Sequence, residues 1–254
     1  MLLFHRQYSG EGPPLIILHG LFGQQGNWAT QAKDLSDSFA VYGLDARNHG
    51  QSPHADTMSY AEMADDVRQT LDSLGIEKAL FIGHSMGGKT AMQFALNWPE
   101  RVSKLLLVDI APVSYMSGPD RVLSALMNLN LESISSRQQA DEQLHKDIPE
   151  KGIRDFLLTN LRRDGDGYTW RMNLQAISAC YTELRAGMRM QEAFNGETLF
   201  VKGEHSDYLM PAYRDQTLRF FLKAQIKVIP GSGHWVHSEK PAQFLKIARD
   251  FLLA

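Results

Sequence analysis

Ser85 stands in Gly83-His84-Ser85-Met86-Gly87-Gly88, directly after the apolar run Ala79 to Ile82 and before a helical pattern carried by Ala91, Met92, Phe94, Ala95 and Leu96. A strand that turns at once into a helix holds its middle residue in a strained backbone conformation. Only small residues two places to either side keep the two arms from colliding. The turn lifts one hydroxyl clear of the sheet and sets it beside the free amides of a helix N-terminus. A hydroxyl so placed can attack a carbonyl if three other groups converge on it: a base, a carboxylate to orient that base, and a second amide for the oxyanion.

The same stretch satisfies another pattern. Gly83-x-x-x-x-Gly88-Lys89-Thr90 fits the phosphate-binding loop of nucleotide triphosphatases, and Leu105 to Asp109 ends in an aspartate where those proteins help to hold magnesium. A glycine-rich turn without chemistry is a third reading, so residues elsewhere must decide. Strand ends elsewhere supply His19-Gly20-Leu21-Phe22-Gly23, Asp109, Asp207, and His234 within Gly231-Ser232-Gly233-His234-Trp235. Active residues of an open parallel sheet gather at the carboxyl ends of its strands. An activatable hydroxyl, a late histidine, carboxylates and glycine-rich amides make an inventory for acyl transfer, and a phosphate loop has no use for His234. His84 and His237 are expected to be held by packing and His49 to be a satisfied loop residue. No Cys/His ligand set and no dinucleotide fingerprint follows a strand, so no metal and no cofactor is expected.

The elements that must position these residues alternate. Leu2 to Tyr8 reads as an edge strand, Leu15 to Leu18 and Phe39 to Leu44 as strands, and Gln25 to Asp37 as a helix. Ser59 with Glu62 three residues on forms a capping box, and Gly75 stops that helix after Leu74. After the elbow and its helix, Val102 to Ile110 is a further buried strand. From about 113 to 195 no buried strand run is evident. Arg121 to Leu131, Ser136 to Lys146, Ile153 to Leu161 and Trp170 to Met190 read as helical, with Met116, Met127, Met172, Met188 and Met190 as soft apolar material. Strands return at Thr198 to Gly203 and Ile226 to Ile229, separated by a mostly helical Tyr208 to Leu222, and Pro241 opens a last helix. The expectation is an α/β fold with a mostly parallel central sheet and helices on both faces. Its core comprises 1–112 and 196–254, and 113–195 form a helical cap inserted before the last two strands.

These residues resemble a known family. His19-Gly20-Leu21-Phe22-Gly23, Asp45-x-Arg47-Asn48-His49-Gly50-x-Ser52, Gly83-His84-Ser85-Met86-Gly87-Gly88 and Gly231-Ser232-Gly233-His234-Trp235 resemble the α/β-hydrolase superfamily. The Arg-Asn-His-Gly form, with Val108-Asp109-Ile110-Ala111-Pro112, is similar to the bacterial YbfF-type esterases. The resemblance implies Ser85 as nucleophile, His234 as base, and the backbone N–H groups of Met86 and of Leu21 (or Phe22) as the oxyanion hole. Many members place the acid three residues after the glycine that ends the penultimate strand, and here that residue is Ser206, with Asp207 one further on. The resemblance therefore favours Asp109 as the acid, with Asp207 as the alternative. Relatives with an aspartate nucleophile act on halides and epoxides, whereas Ser85 implies acyl transfer. The implied substrate is a small-molecule ester or an acyl-CoA-like thioester, with a C–C bond beside a carbonyl as a variant. Arg162, Arg163 and Arg171 are candidates to meet an anionic leaving group, although solvated arginines are the commoner case. A hydrolase-like protein that binds without turnover is the rival from another class.

Composition narrows the partners. The 254 residues can bury one large core, and a net charge of −3 with mixed signs does not suit nucleic acid. Cys180 is the single cysteine and cannot form an internal disulfide. With no apolar stretch near the ~20 residues of a membrane span and no signal-peptide layout, a cytoplasmic protein is expected.

Overall fold

The computed structural model of the chain describes residues 1–115, 121–189 and 192–254, so Met116 and Met190 of the sequence reading lie outside the described residues. Its strands are β1 (His5–Gln7), β2 (Pro14–Leu18), β3 (Ala40–Leu44), β4 (Ala79–His84), β5 (Val102–Val108), β6 (Leu161–Asp164), β7 (Gly167–Trp170), β8 (Phe194–Gly203) and β9 (Phe221–Ile229). Its helices are α1 (Ala29–Leu35), α2 (Tyr60–Ser73), α3 (Met86–Asn97), α4 (Arg121–Asn128), α5 (Arg137–Leu144), α6 (Lys151–Leu158), α7 (Leu174–Ala179), α8 (Tyr181–Arg185), α9 (Arg214–Phe220), α10 (Val236–Glu239) and α11 (Pro241–Leu253).

Seven strands make one sheet in the order β1-β3-β2-β4-β5-β8-β9, antiparallel between β1 and β3 and parallel elsewhere. Alternation along the strands feeds two separate apolar layers. Phe81, Leu105, Leu107 and Phe200 pack with Val67 and Leu71 of α2 and Phe94 of α3. Leu80, Ile82, Leu106 and Val201 point the other way, onto Leu35 of α1 and Phe244 and Ala248 of α11. Both faces of the central strands are thus covered, which is why they read as unbroken aliphatic runs. Among the described residues no helix is long and apolar enough to cross a membrane.

The capping box is present: the Ser59 hydroxyl accepts from Glu62 N, Glu62 accepts from Ser59 N at 2.9 Å, and Gly75 follows the helix with φ 68°. Glu62 also meets the Arg47 guanidinium at 3.0 Å, and Asp66, on the same helix, takes Arg47 Nε at 2.6 Å and Nη2 at 3.0 Å. Helix α2 thereby fixes the loop after β3. Partial burial pulls the Glu62 carboxyl upward, but hydrogen bonds from Thr57 and Ser59 and the Arg47 charge outweigh it and hold the group at about 2. A depressed carboxylate contributes stability that is complete above its unfolded value of about 4.5 and is lost as pH falls towards 2. Glu62→Gln should therefore lose less of its Tm than the parent between pH 5 and pH 3, measured by thermal unfolding at matched ionic strength.

Three expectations need correction. Between β5 and β8 the chain is not wholly helical, because β6 and β7 form an antiparallel hairpin around Gly165. Arg162, Arg163 and Asp164 are exposed, and although Leu161 is buried and Tyr168 and Trp170 pack against the core, strands of four residues are too short for their alternation to stand out. The stretch from Trp170 to Met190 does not resume as one helix, since α8 ends at Arg185. The last strand begins at Phe221 instead of Ile226, with Leu222, Lys223, Gln225 and Lys227 all exposed on the open edge. An edge strand carrying lysines resists pairing with other chains and lacks a buried strand's signature.

Candidate active site

Ser85 is the single residue between β4 and α3, with φ 52° and ψ −116°. Its N–H donates to Val108 O at 3.1 Å, so the turn is locked to the neighbouring strand. The flanking glycines are needed for close approach: a Cβ on Gly83 would lie 2.5 Å from Gly87 O, and one on Gly87 2.5 Å from His19 O. Asp109, one residue past β5, repeats the left-handed conformation with φ 51°. Two adjacent strands therefore end in residues of positive φ, and the side chain of the second, Asp109, meets the loop carrying His234.

His234 Nδ1 donates to Asp109 Oδ2 at 2.7 Å. The Asp109 carboxylate is fully buried and accepts two further hydrogen bonds, from Gly203 N at 3.0 Å and from the Ser206 hydroxyl. Ser206, at the position where many members of the family carry a carboxylate, thus bonds instead to Asp109 on the neighbouring strand. Asp207 is exposed, and no bond joins it to His234. With Nδ1 committed to Asp109, Nε2 is the ring nitrogen of His234 that makes no hydrogen bond among the described residues. The imidazole lies at 4.1 Å, nearly parallel, against the Tyr208 ring and at 4.7 Å from the His84 ring.

Backbone bonds hold the histidine loop from both sides. Glu239 accepts from Gly233 N at 2.7 Å and Trp235 N at 3.1 Å, bracketing His234, while His84 Nε2 donates to His234 O at 3.0 Å. His84 therefore does more than pack: it ties the residue before Ser85 to the backbone of His234. His237 stacks on Trp28 at 3.9 Å, as expected of a structural residue.

The amides near Ser85 divide by their partners. The N–H of Phe22 donates to His49 Nε2 at 3.2 Å, and His49 Nδ1 donates to Arg47 O at 3.0 Å. Phe22 N–H is thus committed, whereas no hydrogen bond engages the N–H of Leu21 or of Met86 among the described residues. Gly20 brings this loop against the elbow, since a Cβ there would lie 3.3 Å from Ser85 Cβ. His49 is a satisfied loop residue, and its acceptor nitrogen selects which amide stays free. Burial pushes His19 down to about 4, and His49 and His237 to about 3. Burial and the neighbouring His234 and His237 push His84 well below the ordinary range. These four imidazoles are neutral at pH 7 and can accept at one nitrogen while donating at the other.

The segment between β5 and β8 is bonded to the loops around the site. Asn160 Nδ2 donates to Phe22 O at 2.7 Å, Gln24 Nε2 to Thr159 O at 3.3 Å, and Asn173 N to Asn48 O at 2.9 Å. Sequence reading missed Asn160, fully buried between two loops, because an isolated asparagine carries no motif. A cavity of about 650 Å³ runs between α6, the Gly20 loop and α10, lined by Trp28, His84, Ile153, Phe156 and Trp235 among others. Lys89 is 1 % exposed, and its ammonium faces the carbonyls of Val113 and Ala186, so it cannot reach a phosphate as the nucleotide reading requires. Arg162 and Arg163 are exposed on β6, and the Arg171 carbonyl faces His54.

A serine at φ 52° ending a central parallel strand, followed later in the chain by Asp109 and His234 in contact with each other, is the order found in α/β-hydrolases. The chain belongs to the family described as alpha/beta hydrolase fold, which its residues 13–241 match. It is 39% identical to the mouse sn-1-specific diacylglycerol lipase ABHD11 over 248 residues, which cover 94% of this chain and 81% of that one. It is 38% identical to esterase YbfF of Escherichia coli (strain K12) over 247 residues, covering 97% and 95% of the two chains. A solved marine microorganism esterase superposes with a TM-score of 0.96 at 38% identity, covering 98% of this chain and 99% of that one.

Proposed function

We propose that the protein is a carboxylesterase that cleaves esters through an acyl-enzyme on Ser85. The observation that carries this reading is the 2.7 Å bond from His234 Nδ1 to buried Asp109, which orients the ring and leaves Nε2 as the nitrogen available to exchange a proton. Similarity to a diacylglycerol lipase and to an esterase supports ester substrates. Ser85 Oγ attacks the carbonyl while His234 Nε2 takes its proton, and Asp109 stabilises the imidazolium that forms. Negative charge then develops on the carbonyl oxygen, where the N–H groups of Met86 and Leu21 receive it. Collapse expels the alcohol with the proton from His234. Water, activated by the same nitrogen, then attacks the acyl-enzyme and frees the acid.

Residues 113–195 act as a cap on this core. Supporting this are the bonds from Asn160 Nδ2 to Phe22 O, from Gln24 Nε2 to Thr159 O and from Asn173 N to Asn48 O. The aromatic cavity under α6 reaches Gly20 and His84, which flank Ser85, and suits an apolar acyl or alcohol group.

Labelling with a fluorophosphonate followed by peptide mass spectrometry tests the assignment. A single adduct on Ser85, with loss of p-nitrophenyl ester hydrolysis in proportion to labelling, is expected. An adduct elsewhere, or hydrolysis that survives full labelling, would refute it. Running oxygen esters and acyl-CoA thioesters of equal chain length in parallel separates the esterase from the thioesterase; faster turnover of the oxygen esters is expected.

A further inference from the structure

The lysine of the Gly83-x-x-x-x-Gly88-Lys89-Thr90 pattern has no part in the chemistry above, yet it is among the most buried side chains of the molecule. It stands one helical turn past the nucleophile, and its own N–H donates to Ser85 O at 3.0 Å. The ammonium donates to Val113 O at 2.8 Å and to Ala186 O at 2.6 Å. Those two carbonyls belong to the outgoing and returning connections of the insertion. The ammonium also lies over the rings of Tyr115, at 4.7 Å, and Tyr60, at 5.6 Å. Tyr60, on α2, donates from its hydroxyl to Leu184 O at 2.7 Å, again at the returning connection. No carboxylate pairs with Lys89 among the described residues, and burial lowers its ammonium to about 7.

The two connections already touch. Tyr115 N donates to Arg185 O at 3.0 Å, Met188 N to Pro112 O at 3.1 Å, and Gly187 N to Ser114 Oγ at 2.8 Å. They cross so closely that a Cβ on Gly187 would lie 2.8 Å from Ser114 N. The carbonyls of Val113 and Ala186 turn out of this crossing towards Lys89. An apolar residue of the same length would fill the space without the cost of desolvating an ammonium, but would leave both carbonyls buried and unpartnered. The crossing also reaches the base: the Tyr115 hydroxyl donates to Tyr208 O at 2.6 Å, and the Tyr208 ring stacks on His234.

We infer that Lys89 is a positioning residue, a strap that fastens both ends of the insertion to the helix carrying Ser85 and so sets how firmly the site grips longer acyl groups. The inference rests on the esterase reading for its kinetic consequence, and the exchange experiment below does not depend on activity. Lys89→Met keeps length and volume and removes the donors. Hydrogen-exchange mass spectrometry should show peptides covering 112–115 and 185–188 exchanging about tenfold faster, with β4 and β5 unchanged. On p-nitrophenyl octanoate KM should rise about tenfold while kcat moves less than about threefold, and kcat/KM for the acetate ester should stay within about twofold. Lys89→Gln, which retains an amide donor without charge, should fall between the two. Unchanged exchange at both connections, exchange raised evenly through the chain, or equal losses on octanoate and acetate would overturn the proposal. If Lys89→Met does not fold, Lys89→Gln decides by the same readings, and failure of both to fold would place Lys89 in the core and overturn the strap.

Discussion

Ser85→Ala is expected to lower kcat for ester hydrolysis by about 10⁴-fold or more, to the level at which only binding and the oxyanion amides assist water. KM should change little, because the hydroxyl adds little to ground-state binding. The expectation follows from geometry that alanine preserves. The backbone at position 85 is held at φ 52° by Ser85 N to Val108 O and by the close approach of Gly83 to Gly87, and none of these contacts uses the hydroxyl. The variant should therefore match the parent in far-UV circular dichroism and in Tm while failing to take up a fluorophosphonate. Substantial residual turnover in a folded, unlabelled Ser85→Ala protein would show that another group attacks the carbonyl.

The second large effect concerns the acid. Asp109→Asn should lower kcat by at least about 10², because the amide loses the charge that stabilises the imidazolium and offers His234 Nδ1 a donor as readily as an acceptor. The amide oxygen can still accept from Gly203 N, now at 3.0 Å, so the strand ends should remain registered and the loss should appear in catalysis before it appears in stability. Asp207→Asn should stay within about threefold of the parent, as expected of an exposed side chain one residue past the Ser206 that bonds the acid. Steady-state kinetics on both variants, with thermal unfolding as the control, decides between the two carboxylates. A crippled Asp207→Asn beside a near-normal Asp109→Asn would reverse the assignment.

The sheet was legible because its strands are buried on both faces: Leu15 to Leu18, Ala79 to Ile82 and Leu105 to Val108 have no exposed side to break the apolar run. The elbow was legible because steric exclusion at Gly83 and Gly87 leaves a mark that composition cannot hide. What escaped was whatever depends on contacts between distant segments. Ser206 looks like an ordinary loop serine until Asp109 is found against it from 97 residues away. The choice between Leu21 and Phe22 turns on His49, whose free acceptor nitrogen is set by a backbone carbonyl two residues earlier. Glu239 lies five residues past His234 and does its work on main-chain amides, which no side-chain pattern records. The β6–β7 hairpin escaped because each strand has four residues, and Leu161, Tyr168 and Trp170, which pack inward, are too few to show an alternating pattern.

The Ser206 hydroxyl resting on the Asp109 carboxylate has a bearing on how such sites change over generations. Two strand ends converge on one small volume, so a single negative charge can be delivered to His234 from either address. A lineage could relocate its acid from β5 to the β8 loop by exchanging the two side chains, leaving nucleophile, base and oxyanion amides untouched. The order of events is constrained: an aspartate arriving at 206 while Asp109 remains would force two carboxylates together, and one would take up a proton. That shared proton makes the intermediate tolerable, because one charge still faces the histidine.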